Sequence, residues 1–480
     1  MFKKIIKNTV IYGLAPYVAS FANLLVLPII TKDLSEIDYG ISGTIYAYTG
    51  ALSAFSNLGL TIILTNSFFQ YPQRFKWIWR QIYGFLTLWY VVFAIVVVVV
   101  LALLMPESVG HNKNIIIFLN TLPIVLFGPT STIAVLYYTL KKQATQIGYR
   151  TAIFGLLAVF LNLYFISKLK LGYLGWFWTT FIVGILTNFS YWYPLNRINK
   201  ITPIIKFKKT TIKKALKISI PIIPNHYSYY LLDGSDRLIM DRLHASTANI
   251  GEYNMASTFS NYTGSLATAS SNAIVPYLIE MLKNKDYHKA RNLLYLWSSA
   301  FICITFFICL WSREIFDFLI KNDVLKQTYP LAIIMIMAYN FRPIFIGAYQ
   351  YMVFKEKTKA IWKVPLYAGL FSISINLALI PLWGFKVAVY TLFCAFMFWG
   401  IALYFSKPYK EIKVLEHHPI KWTLIVIALT VIVYILKNAA LPIKLLITTV
   451  GILSIMIIIL LLRHIIKTQS KGSILPPYSI

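Results

Sequence analysis

The sequence predicts an all-α integral membrane protein with about fourteen transmembrane helices. Three observations carry that expectation. Hydrophobic residues make up 58% of the 480 and charged residues only 13%, against roughly 25% charged in soluble domains, and the mean hydropathy is +0.67. Apolar runs of about 20 residues, the helical length that crosses a bilayer core of about 30 Å, recur from end to end. Lys and Arg are rich and poor in alternate loops. Backbone groups in hydrocarbon must pair within their own segment, so runs this long mean helices. A β-barrel would show alternating segments of about ten residues instead.

The predicted spans are 8–30, 41–69, 81–105, 114–140, 151–167, 172–194, 218–240, 250–280, 293–312, 329–354, 364–381, 387–406, 422–436 and 441–462. The first follows Lys3, Lys4 and Lys7 and runs 23 residues, long for a signal peptide, so it reads as a retained helix. With the N-terminus in the cytoplasm, the segments on that side hold 32 of the 45 Lys and Arg residues, the opposite side 12, and Arg342 stands in neither. A basic excess in short loops marks the cytoplasmic side. A missed helix would scramble the pattern beyond it, so both termini are expected in the cytoplasm. The net charge of +29 then faces anionic lipid headgroups. No stretch could form a separate basic domain, which argues against nucleic acid.

The longest loop, 195–217, holds eight basic residues and divides the chain after six spans. The expected units are a six-helix bundle over 1–196, a basic linker over 197–217, a second bundle over 218–406, and two further helices with a tail over 407–480. A shift of 214 residues pairs Tyr137 with Tyr351, Lys141 with Lys355, Asn162 with Asn376, Leu163 with Leu377 and Ile166 with Ile380; Gly172-Tyr173 pairs with Gly384-Phe385 at 212. Both halves begin on the same side, so the repeat is parallel, about an axis along the membrane normal.

Arg342 lies mid-span in AYNFRPIFIGAY, beside Tyr339 and Asn340. A charge at that depth costs about 3 kcal/mol, so it should face a wet interior; the alternative is an ion pair joining two helices. Pro343 should kink the helix. In span 218–240, His226, Tyr230, Asp233 and Arg237 share one face at spacings of 4, 3 and 4. Asp233 and His226 are expected to line a cavity, with a packed neutral His226 as the alternative. Asp236 and Arg237 are expected as a pair at the outer rim. Milder polar stripes include Asn261 in span 250–280, Asn23 in the first span and Asn57 in the second; such stripes serve either helix packing or a cavity. Cys303, Cys309 and Cys394 sit in apolar segments as small core residues. His417-His418 has no ligand partners nearby, so neither a metal site nor a cofactor is expected. The sequence contains no HExxH, GxxxxGK[ST], GxSxG or GxGxxG, and no loop is long enough for a catalytic domain.

Two six-helix halves, the Asn-Leu…Gly-aromatic element in both, and DGSDRLIMDRLHASTANIGEYNMA over 233–256 resemble the polysaccharide transporter branch of the multidrug/oligosaccharidyl-lipid/polysaccharide (MOP) flippase superfamily. The resemblance covers roughly residues 5–410. It implies two bundles in a V around a central cavity, alternating access, and transport of undecaprenyl-pyrophosphate-linked oligosaccharides between leaflets for O-antigen, capsule or exopolysaccharide. It also implies a bacterial inner membrane, coupling to a proton or Na⁺ with Asp233 and His226 as candidates, and a polysaccharide polymerase and chain-length regulator as partners. Arg342, Asn340, Tyr339, Asn261, Asn57, Asn23 and Tyr230 are the candidate substrate contacts. Two departures separate the chain from related branches: span 8–30 lacks the carboxylate of cation-coupled drug exporters, and spans 8–30 and 41–69 lack the basic residues of lipid II flippases. A drug antiporter or lipid II flippase of the same fold is the alternative transporter. A membrane polymerase or acyltransferase is the enzymatic alternative; it would need a large outer loop.

Overall fold

The computed structural model describes residues 22–357, 361–412, 417–451 and 453, and these contain helices and turns but no strand. Helix α1 (22–30) is the end of the first predicted span, whose residues 8–21 lie outside the described residues. A capping box opens α2 (Glu36–Ser56): the Ser35 hydroxyl accepts from the Asp38 amide, and the Asp38 carboxylate accepts from the Ser35 amide at 2.7 Å. Positive φ at Leu58 and Gly59 breaks the span before α3 (Thr61–Gln70). The first half continues with α4 (Phe75–Leu104), α5 (Lys113–Phe127), α6 (Thr130–Leu140), α7 (Ala144–Asn162) and α8 (Leu174–Tyr193). Between the halves lies α9 (Lys209–Ser219). The second half holds α10 (Ile223–Asp233), α11 (Asp236–Arg242), α12 (Thr247–Lys283), α13 (Tyr287–Leu310), α14 (Ser312–Leu319), α15 (Asp323–Lys326), α16 (Tyr329–Ala338), α17 (Phe341–Phe354), α18 (Lys363–Trp383), α19 (Val387–Phe405) and α20 (Lys407–Ile412). Last come α21 (Pro419–Leu436) and α22 (Leu441–Gly451).

Among the described residues eight helices are long and apolar enough to cross a bilayer, and nine if α5 and α6, bent by 54°, count as one span. These nine fall on predicted spans. Three others are helical but less apolar for visible reasons. α8 is uncharged but rich in Trp, Tyr and Thr, α12 carries the polar stripe, and span 218–240 is interrupted by Pro221, Pro224 and Gly234 into a 3-10 turn, α10 and α11. Predicted span 441–462 is described only as far as residue 453.

The paired positions of the two halves occupy like places. Tyr137 in α6 donates to Asn199 Oδ1 (3.0 Å), and Tyr351 in α17 to the Ile412 carbonyl (2.7 Å); each acceptor follows the sixth helix of its half. The chain turns at Lys142 (φ +56°) and again at Glu356 (φ +58°). Gly172 (φ +55°) and Gly384 (φ +78°) take the left-handed backbone that glycine adopts without a Cβ penalty. At Gly172 a second demand applies: a Cβ would lie 2.7 Å from Asp38 Oδ1, the atom that accepts from the Tyr173 amide at 2.9 Å.

The buried core falls into three clusters. Two, built from residues 41–215, fill the first half. The third, by far the largest, fills the second half and takes in Leu27, Ile30, Leu34 and Tyr39. The end of α1 is therefore tied to the second half: Thr31 accepts from the Lys321 amide (3.0 Å) and the Leu34 carbonyl from Asn322 (3.1 Å). Beside this joint α2 lies on α12 with backbones almost touching. A Cβ on Gly40 would stand 1.9 Å from the Thr247 carbonyl oxygen, and one on Gly251 would stand 1.8 Å from that of Glu36; only glycine permits such an approach. The basic linker also departs from the expectation of a plain loop. Ile212, Ala215 and Ser219 make one buried face of α9, with Ile212 and Ala215 packed in the core against α3 and α4.

Candidate functional site

Pro343 fixes the local geometry around Arg342. Proline has no N–H, so the Tyr339 carbonyl loses its helical partner; it accepts instead from the Arg342 amide at 3.0 Å. The expected kink is thus a tightened two-residue turn over Tyr339–Asn340, between α16 and α17, within one span Tyr329–Phe354. Arg342 emerges in the first turn of α17, where the helix dipole adds positive potential.

The guanidinium lines a cavity of about 310 Å³ walled by α10, α12, α17 and α19. It makes no ion pair among the described residues and reaches the Gly264 carbonyl at 3.5 Å. Asp233 lines the same cavity, beyond ion-pair distance of Arg342. The Tyr339 ring packs on Gly264, where a Cβ would meet it at 2.7 Å, and edge-on to Phe396 at 5.2 Å. Phe345 and Trp399 stack at 4.2 Å and line the cavity with Phe396. The Trp399 indole is 5% exposed and its N–H has no partner. A buried donor left unpaired is costly, and it adds a polar point to an otherwise aromatic wall. Arg342, Trp399 and the aromatic wall suit a ligand rich in acceptor oxygens that presents apolar ring faces.

Of the sequence-predicted residues, Arg342, Tyr339 and Asp233 come together here. All the lining residues belong to the second half. Asn340 points elsewhere: it is 1% exposed, accepts from Thr305 at 3.0 Å and donates to the Met337 carbonyl at 3.0 Å, which fastens α16 to α13. Asn57 ends α2 and accepts from Tyr90 at 2.8 Å. Tyr230 donates to the Ala47 carbonyl at 2.7 Å, joining α10 to α2. Asn261 is exposed on α12 and Asn23 is half-buried in α1, both away from this cavity. The His226 side chain lies outside the described residues.

Asp236 and Arg237 are not an exposed rim pair. Asp236 is 1% exposed and accepts from Tyr253 (2.5 Å), Asn376 (2.8 Å) and Ser372 (3.3 Å), which ties α11 to α12 and α18. Arg237 turns instead to the Ser257 hydroxyl and lies over the Tyr253 ring at 5.7 Å. Adjacent helix positions point about 100° apart, so neighbours in sequence need not pair. Sequence reasoning missed Trp399 and Phe345, whose apolar context reads as core. It also missed the ion pair of buried Lys444 with Glu314 (2.8 Å), which fastens α22 to α14. His417 is buried against Tyr404, and its imidazole pKa is pushed down to about 4 by desolvation. Among the described residues no cluster of His, Cys, Asp or Glu could hold a metal.

A profile of polysaccharide biosynthesis proteins matches residues 5–282. The chain belongs to that family. No curated protein sequence matches it. Among solved structures, lipid II flippase MurJ in an inward closed conformation superposes with a TM-score of 0.66 at 14% identity, over 90% of this chain and 98% of that one. A MOP superfamily transporter from Pyrococcus furiosus gives 0.52 at 12% identity, over 89% and 96%. The Vibrio cholerae MATE transporter VcmN in its bent form gives 0.53 at 14%, over 88% and 98%. The fold is thus the MOP transporter fold of a multi-pass membrane protein, as the sequence resemblance implied.

Proposed function

We propose that the protein is a flippase for undecaprenyl-pyrophosphate-linked oligosaccharides, moving them from the inner to the outer leaflet of a bacterial inner membrane by alternating access. A charged, hydroxyl-rich head cannot cross hydrocarbon without losing its water. The observation that carries the reading is Arg342: a cation inside the membrane fold, without an ion pair among the described residues, lining a cavity with aromatic walls. Arg342 grips phosphate oxygens, and Phe345, Phe396, Trp399 and Tyr339 lie along sugar ring faces. The prenyl tail stays in lipid. Family membership and the MOP fold support a transporter over an enzyme. Both termini in the cytoplasm follow from the distribution of Lys and Arg. Asp233, which lines the same cavity as Arg342, is the candidate for a coupling proton or Na⁺. A polymerase and a chain-length regulator would act on the delivered units.

The test is complementation of a strain lacking a defined flippase. Arg342→Ala should cut surface polysaccharide at least tenfold at equal membrane abundance, since a charged hydrogen bond contributes about 1.5–3 kcal/mol; Arg342→Lys should keep part of the activity. Wild-type polysaccharide levels from Arg342→Ala would remove Arg342 from the transport cycle.

A further inference from the structure

Both halves are basic at the end where α9 lies, but only the second mixes acids among its basic residues. In the first half, segments 72–80, 141–150 and 195–217 contain fourteen Lys and Arg residues and no Asp or Glu. In the second half, segments 283–291, 355–363 and 407–421 interleave basic residues with Asp286, Glu356, Glu411 and Glu416. There Lys289 pairs with Asp286 at 3.0 Å and Lys357 with Glu411 at 3.8 Å.

The first-half charge is mounted on a fixed frame. The Ile204 amide donates to the Arg80 carbonyl (2.9 Å), the Lys208 amide to Gln81 Oε1 (2.7 Å), and Arg80 Nε to the Thr202 carbonyl (3.1 Å). Ile212 and Ala215 sink into the cluster that holds Trp79 and Ile82. Lys209, Lys213, Lys214 and Lys217 point away from that contact and are exposed, with Lys206 and Lys208 just ahead of them. Apolar side chains stand among the lysines: Ile205 is 63% exposed, Ile218 57% and Ile220 49%. A helix end that offers ammonium groups and bare isoleucines side by side, with no acid to neutralise it, is built for the boundary between phosphate headgroups and acyl chains.

We propose that α9 and the linker before it form a binding surface for anionic phospholipid headgroups, which holds the first half against the leaflet, while the second half carries a mixed, partly paired charge. The occupant is bulk anionic lipid, because the lysines spread along an exposed surface and none lines the Arg342 cavity. The inference needs only a membrane-embedded chain and stands apart from the glycan substrate.

Its test uses the full-length chain, delipidated in detergent and titrated with phosphatidylglycerol or phosphatidylcholine, with bound lipid counted by native mass spectrometry. The wild type should retain phosphatidylglycerol over phosphatidylcholine. K209Q/K213Q/K214Q/K217Q should bind phosphatidylglycerol about tenfold more weakly, at an unchanged melting temperature. K283Q/K285Q/K289Q, on the mixed-charge face, should bind like the wild type. Undiminished phosphatidylglycerol binding by the α9 variant would overturn the proposal, as would an equal loss in the two variants. Lost transport with undiminished phosphatidylglycerol binding would assign the surface to the transported lipid and would overturn it too.

Discussion

The helix breaks at Gly128-Pro129 and Arg342-Pro343 stand 214 residues apart, in the register that pairs Tyr137 with Tyr351. Each puts a proline in the fourth span of its half, sharply bending the chain in the first and only tightening a turn in the second. In the first half the residue before proline is glycine at φ +51°, and the bend of 54° simply redirects the helix past Tyr90. In the second half the same place holds arginine, and the break delivers a guanidinium into a cavity. One backbone device thus serves shape in one half and ligand chemistry in the other. A proline break frees a carbonyl and opens a helix N-terminus inside the membrane, and whichever side chain sits beside it inherits that polar environment.

Removing each proline should separate the two roles. Pro343→Ala restores the amide that would bond the Tyr339 carbonyl and rejoins α16 to α17. Transport should fall several-fold, with stability unchanged or raised, because proline inside a helix costs about 3 kcal/mol. Pro129→Ala should leave transport within about twofold, since Gly128 still bends the chain. Equal losses in the two variants, measured by surface polysaccharide and thermal melting, would mean that both breaks act through shape alone. A smaller effect probes the repeat. Tyr137→Phe and Tyr351→Phe each delete one hydrogen bond from a loop-anchoring tyrosine, so each should lower stability by about 1 kcal/mol. A loss confined to one of them would show that the anchors are unlike in weight.

Much of the fold was legible because a bilayer imposes few solutions. Apolar run length and loop charge located nine of the spans, and the Gly-aromatic pairs marked the turns where the structure has positive φ at Gly172 and Gly384. The site was legible only in part. Arg342 stood out because a charge within an apolar run has no cheap explanation. Trp399 and Phe345 did not, because the sequence cannot tell an aromatic that walls a cavity from one that fills a core. Asn340 misled because it stands two residues from Arg342 but turns to Thr305. The Asp236–Arg237 pair misled for the same reason, since Asp236 finds its donors on α12 and α18. The docked linker was readable from the spacing of Ile212, Ala215 and Ser219, but lysine content masked it.

Binding of a prenyl-pyrophosphate lipid to purified wild type and to Arg342→Ala, measured side by side with a prenyl alcohol of equal length, bears most directly on the role of Arg342. The wild type should prefer the pyrophosphate, and Arg342→Ala should lose that preference by at least tenfold while binding the alcohol unchanged. An equal pyrophosphate preference in both proteins would show that the phosphate is held elsewhere.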